Sequence, residues 1–523
     1  MLARYRFVPP ASLIVLLLAA PGGEGGLDAA VSAWPPADWE ADFEAARARA
    51  RAVGRPVFVY FDAGWCSWCQ QYKRDTLDKP AVRRALEREF VPVVVDFDAR
   101  PDLVQRYGGK GLPFTVILAP DGTILNRFVG VMTPADLLDL LRATRGGGGR
   151  PRPSSMPPAA VSEPVRVVAL DRAGFERFRA AWLERLEELY DPERGTLAGR
   201  FETGATLKRP SPMTWIYLSE RGLWPFERIR RAARAERERL WDRLDGGFFN
   251  FLDPGRADYL ETSKLLEANA WLVAWQAVVG ESDPPARTLA RAGWFYLREV
   301  LWDEVHGGFY QAQVADNVYY GLAPRVRLRR PPPPVLRLKR ADTNAQAAFA
   351  LLHAARATPG ASTVPLQREL IAHAARTLDF VLEEMVTADG RLFHLWEAGR
   401  LSVPALPQDL FWVLAAAGAL EEAHPAWKPP ARLALVEGAA RRWLEANLTA
   451  KSAGAGLDNE LAGLIAWTAG QGRVARFPAW ARERALRQLV LEPETAPDEL
   501  VLGLMAFEQA LGIEAWPAAA AGR

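Results

Sequence analysis

The chain has 523 residues, 49% hydrophobic and 24% charged, with a net charge of +2. That length is too great for a single core and predicts about two to four domains. The balanced charge, without a basic stripe, argues against nucleic-acid binding. Only two cysteines are present, three positions apart, and the five histidines are scattered, which is too sparse for a zinc site and points to a redox dithiol.

In chain order, Arg4 and Arg6 precede an apolar run from Ala11 to Ala20. This predicts an export signal or N-terminal anchor within residues 1–30, too short for an ordinary membrane span. An amphipathic helix follows over Asp38–Val53, then a β-rich run at Val57–Phe61 that suits a strand covered on both faces. Helices are expected at Cys66–Thr76 and Ala81–Phe90, a strand at Val91–Phe97 and a helical turn at Arg100–Tyr107. Strands at Phe114–Leu118 and Ile124–Val129 flank the turn Ala119–Gly122, and Pro134 opens a last helix. These elements make an α/β domain over residues 34–145, and the Gly/Pro-rich stretch 146–164 reads as a linker. The rest, 165–515, is helical. Leu240-Trp-Asp-Arg-Leu-Asp-Gly-Gly-Phe-Phe249 recurs as Leu301-Trp-Asp-Glu-Val-His-Gly-Gly-Phe-Tyr310, with looser echoes at Tyr190–Gly195 and Met385–Gly390. Helix pairs repeating every roughly 50–80 residues predict an all-α, (α/α)6-type toroid. Arg228–Arg239 interleaves Arg with Glu and Ala, as a solvated helix face does.

The cysteines carry the chemistry. Cys66 follows a strand and opens a helix, where unsatisfied N–H groups and the helix dipole favour a thiolate. Cys69 lies one turn on, within reach of a mixed disulfide. Cys66 is thus the attacking residue and Cys69 the resolving one.

Gly64-Trp65-Cys66-Ser67-Trp68-Cys69, with Gly111-Leu112-Pro113-Phe114 before a strand, resembles the thioredoxin superfamily. The resemblance implies a cis proline at Pro113 beside the redox pair, with the Leu112 backbone open to an incoming peptide and Trp65 and Trp68 on the substrate-binding face. Tyr60 stands where relatives often bury an Asp, and Asp62 is expected to turn to the other face or the loop. Over nearly the whole exported chain the pattern is similar to the spermatogenesis-associated protein 20 family, whose bacterial members are also called YyaL-like or DsbH-type thioredoxin proteins. Cys66-Ser-Trp-Cys69, Asp98-Ala-Arg-Pro-Asp-Leu103, Asp245-Gly-Gly-Phe-Phe-Asn250, Lys264-Leu-Leu-Glu-Ala-Asn-Ala270 and Gly307–Asn317 carry the match. It implies an α/β thioredoxin fold followed by a toroid related to the six-hairpin glycosidases.

The expected function is an extracytoplasmic (periplasmic or secreted) thiol–disulfide oxidoreductase that needs no bound cofactor or metal and exchanges with another thiol/disulfide protein. Membrane attachment would come only from an uncleaved N-terminal segment. The alternative is a glycan-binding or glycan-processing toroid with an accessory redox domain, in which Glu261, Lys264, Asp316 and Asp409 line a cavity that takes a glycan or a peptide. Acidic residues at helix starts are equally expected as N-caps. Disulfide exchange needs a groove beside Cys66, and sulfurs sealed by the toroid would count against the redox reading.

Overall fold

The computed structural model describes residues 35–513 apart from 37–38, 41, 110, 146–162, 202–204, 254–258, 359–363, 449–456 and 472–476. The expected export signal and nearly all of the expected linker lie outside the described residues. None of the described helices is long and apolar enough to cross a membrane.

The first domain contains α1 (Phe43–Val53), β1 (Val57–Asp62), α2 (Ser67–Tyr72), α3 (Pro80–Glu89), β2 (Val91–Asp96), α4 (Pro101–Tyr107), β3 (Phe114–Leu118), β4 (Ile124–Val129) and α5 (Pro134–Arg145). The sheet order is β2-β1-β3-β4. β1 runs parallel to β2 (Val57 opposite Val91) and antiparallel to β3 (Val57 opposite Leu118). Alternation along β1 feeds two cores. Val57, Val59 and Phe61 pack with Phe43 and Val93, while Phe58 and Tyr60 pack with Tyr72 and Leu86. The helix expected over Cys66–Thr76 is interrupted. It changes after Tyr72 to a π-turn over Lys73–Leu77.

Among the described residues the second domain is a ring of six helix pairs. It contains α6 (Arg172–Leu189), α7 (Pro212–Glu220), α8 (Phe226–Leu240), α9 (Leu266–Val279), α10 (Pro284–Tyr296), the short α11 (Asn317–Tyr320) and α12 (Pro324–Arg327), then α13 (Ala341–Arg356), α14 (Val364–Glu384), α15 (Pro407–Ala423), α16 (Leu433–Asn447), α17 (Asn459–Gln471), α18 (Ala479–Leu486) and α19 (Val501–Ala510). Helices α7, α9, α13, α15, α17 and α19 form the inner ring, each against the next, and α19 closes onto α7. They are apolar on nearly every face, as in Leu266-Glu-Ala-Asn-Ala-Trp-Leu-Val-Ala-Trp275, because both neighbours and the outer helices cover them. The outer helices show polar faces to solvent. On α8, Arg230 pairs with Glu227 and Arg234 with Glu238. Val165–Arg166 pairs with Val490–Leu491 and ties the start of the domain to its last pair.

The repeated Trp-Asp…Gly-Gly-Phe sequence is a turn at the end of α8 and again after α10. Gly246, Gly247, Gly307 and Gly308 have φ between 72° and 78°, the left-handed region that favours glycine. A buried lysine from the following segment closes each turn. Lys264 Nζ donates to Asp242 (2.8 Å) and to the Gly246 carbonyl (2.6 Å), and Lys339 Nζ to Asp303 (2.7 Å) and the Gly307 carbonyl (2.6 Å). Five residues later an asparagine clamps the Phe backbone: Asn269 on Phe248, and Asn344 on Phe309. Lys-x-x-acid-x-Asn is therefore part of the repeat, a framework device rather than a ligand site.

Candidate functional site

Cys66 caps α2 and is joined to Cys69 by a disulfide, with their Cα atoms 5.3 Å apart; the Cys69 N–H points at Cys66 Sγ (3.0 Å). The Leu112–Pro113 peptide is cis. Trp65 is buried and donates from Nε1 to Asp98 (2.7 Å), while Trp68 packs on Tyr259 with ring centroids 4.6 Å apart. Tyr60, at the position of the absent carboxylate, donates to Asp62 (3.3 Å) and to the Cys69 carbonyl (3.4 Å). Burial, with Asp62 close by, raises the Tyr60 hydroxyl well above its ordinary pKa. Asp62 does not turn away as expected. The two-residue strand period keeps it on the Tyr60 face, where it pairs with Lys73 (2.7 Å).

The toroid covers this site. Cys66 is 3% exposed and Cys69 0%, in one cluster with Leu265, Ala312 and Leu336 of the toroid and with Leu112. The Ala315 N–H donates to the Trp65 carbonyl (3.3 Å). The surface expected to receive an incoming peptide is thus occupied by the toroid, and the sulfurs are sealed. By the expectation set out above, this counts against the redox reading, and most directly against exchange with a folded partner.

Polar contacts lock the two domains together. The Ser67 hydroxyl is shared between Tyr259 (2.6 Å) and Glu261. Asp98 is held by Arg340 (2.8 Å), and its carbonyl by His394 Nε2 (2.7 Å). Gln105 reaches Asp458 (3.1 Å). The redox domain therefore lies over the end of the ring where α9, α13, α15 and α17 begin.

The four carboxyl and lysine residues expected in a toroid cavity separate into different roles. Glu261 is buried and faces the redox motif. Burial pushes its carboxyl above the usual range, against hydrogen bonds from Ser67 and Ser263. Lys264 lines no cavity, because it is fully buried in the Asp242 turn. Asp316 caps α11 through the Tyr319 N–H (2.8 Å). Asp409 is buried at the start of α15, where it accepts from the Leu406 N–H (2.7 Å) and meets His394 Nδ1 (2.8 Å). Asp342, His394 and Asp409 bring ligand atoms within 4.8 Å of one another. Arg340 is already bound to Asp342, and both His394 nitrogens are engaged, so these groups do not fit a metal. Sequence reasoning missed Tyr259, Asp98 as an interdomain anchor, Arg340 and Glu460; for Asp98 the only signal was its place in the quoted Asp98–Leu103 motif.

Glu460, at the start of α17, accepts from Trp412 Nε1 (2.8 Å), and desolvation pushes its carboxyl up to about 7. A carboxyl raised in the folded state contributes stability below its unfolded value of about 4.3, and this is lost as pH rises through about 7. Glu460→Gln is therefore expected to stabilise the chain at pH 8, by on the order of 1–2 kcal/mol, and to change little at pH 5. Urea unfolding at the two pH values measures this; equal effects at both would contradict it.

Residues 38–120 match the family model described as thioredoxin-like. Human spermatogenesis-associated protein 20 is 31% identical over 106 residues, which is 19% of this chain and 13% of that protein. Thiol:disulfide interchange protein DsbD 1 of Pseudomonas aeruginosa is 31% identical over 122 residues, 21% of each chain. The chain thus spans well under two thirds of the curated relatives it matches. The structure of a D-mannose isomerase aligns with 66% of this chain and 99% of its own, at a TM-score of 0.51 and 11% identity, a likeness of fold alone. The chain therefore consists of a thioredoxin-like domain, over which it is similar to spermatogenesis-associated protein 20, followed by a mostly helical toroid of the sugar-isomerase kind of fold.

Proposed function

We propose that the chain is a thiol–disulfide oxidoreductase acting outside the cytoplasm, with the toroid as the body that holds and covers its redox domain. The observation that carries this is the bonded Cys66–Cys69 pair at the start of α2, packed against Leu112. In the reaction a partner's thiolate attacks one sulfur of the pair and a mixed disulfide forms. The second partner thiol then closes the partner's own disulfide and leaves Cys66 and Cys69 reduced; the reverse sequence oxidises a dithiol. The Arg4–Ala20 pattern supports export.

The seal over Cys66 narrows the partners. A small or extended thiol reaches the sulfurs more readily than a folded protein. Dithiothreitol is expected to reduce the pair, yielding two thiols per chain. A folded protein dithiol of equal driving force should be slower by roughly tenfold or more, since exchange depends on access. Stopped-flow reduction followed by thiol counting measures both. Reduction by neither would sink the redox reading, and equal rates would contradict the enclosure.

A second reading is a toroid acting on a glycan, for which Glu460, held by Trp412 Nε1 (2.8 Å) at the covered end of the ring, is the candidate acid. It predicts an activity that survives Cys66→Ser and fails with Glu460→Gln.

A further inference from the structure

We propose that Glu261, a toroid residue, tunes the Cys66–Cys69 pair by holding a negative charge against the first residue of α2, and so keeps the pair on the reducing side. This rests on the thiol–disulfide reading above. Glu261 is a positioning residue: it exchanges no electrons and forms no bond to sulfur.

The geometry sets it apart from most of the other buried acids. Asp98 and Asp342 face Arg340, Asp242 faces Lys264 and Arg327, Asp303 faces Lys339, and Asp409 faces His394. Glu261 is only 2% exposed, yet makes no ion pair among the described residues. The contacts that favour its charged form are neutral donors: the Ser67 hydroxyl and the Ser263 N–H (3.5 Å). Ser67 directly follows Cys66. Above its own burial-raised midpoint, a carboxylate there acts on a Cys66 thiolate through its charge, which repels the sulfur's across a poorly solvated interface. This favours the thiol over the thiolate. Because a stabilised thiolate makes a pair more oxidising, Glu261 makes this one more reducing. Glu261 thus brings a buried carboxylate to a redox pair whose own strand has Tyr60 in the usual acidic position.

Reduction by dithiothreitol breaks the Cys66–Cys69 bond and closes the dithiol into its own disulfide. Two electrons pass to the chain's sulfurs; the dithiol's two protons end on Cys69 and, below its titration midpoint, on Cys66. The test follows the Cys66 midpoint by ultraviolet thiolate absorbance, and the equilibrium by thiol counting in dithiothreitol buffers, in the full chain. Glu261→Gln is expected to lower the midpoint by about one pH unit. In buffers above the parent's Cys66 midpoint it should also move the exchange equilibrium about tenfold towards the reduced pair, about 30 mV less negative. Glu261→Asp, which keeps the charge, should stay within about threefold of the parent. A packing role predicts the reverse order, because Gln keeps the shape and Asp does not. A Gln variant that titrates and equilibrates like the parent would overturn the proposal. A parent that never equilibrates would instead remove the redox reading itself.

Discussion

Cys66→Ser is expected to abolish thiol–disulfide exchange, by on the order of a thousandfold or more, while the chain stays folded. A serine hydroxyl is not ionised at neutral pH and forms no disulfide, so attack and the mixed intermediate are both lost. The substitution is nearly isosteric, and the cluster around it is built from Leu265, Ala312 and Trp65, which do not depend on the sulfur's reactivity. Cys69→Ser should behave differently. It leaves Cys66 able to attack but unable to be released, so a small disulfide should remain attached as a stable adduct, readable by mass. Full exchange activity in Cys66→Ser would make Cys69 the attacking residue, because the chain has no other cysteine.

The second large effect concerns the framework. Lys339→Met should destabilise the toroid by about 3–5 kcal/mol, measured by urea unfolding. Lys339 and Asp303 are both buried, and the Lys339 ammonium also lies 4.1 Å from the Phe380 ring centroid and 4.3 Å from that of Trp396. Burial alone would raise the Asp303 carboxyl. The Lys339 hydrogen bond and the Val305 N–H reverse this and hold it below the usual range. Without the lysine, a carboxylate is left in the turn with no cation on its inner side. The double change Lys339→Met with Asp303→Asn should recover part of the loss, because the orphaned charge is removed as well. Lys264 in the Asp242 turn should behave similarly, with Arg327 softening the effect by its second contact to Asp242.

The redox domain was legible in the sequence because its signals are local. Phe114–Leu118 and Ile124–Val129 are strands over the expected residues, and the proline before β3 is cis. The helix ring was legible through the Gly-Gly turns, which need left-handed backbone at fixed points. What could not be read was everything carried by distant pairs. Ser67 meets Glu261 across 194 positions, Arg340 meets Asp98 across 242, and His394 meets Asp98 across 296. No periodicity or spacing encodes such contacts. Lys264 illustrates the resulting error. A lysine beside acids at a turn reads as a cavity residue, yet it closes the turn of its own repeat through Asp242, 22 positions earlier. Asp62 was misplaced for a simpler reason, since its partner Lys73 belongs to a π-turn that extends the redox helix past its expected form.

The most direct test of the central claim is equilibration of the purified full chain with dithiothreitol and glutathione buffers of graded potential, counting free thiols. The account predicts one two-electron transition, confined to Cys66 and Cys69, with a midpoint nearer about −270 mV than about −120 mV. A pair that stays oxidised, or stays reduced, across the whole series would contradict it and leave the toroid as the part of the chain that acts.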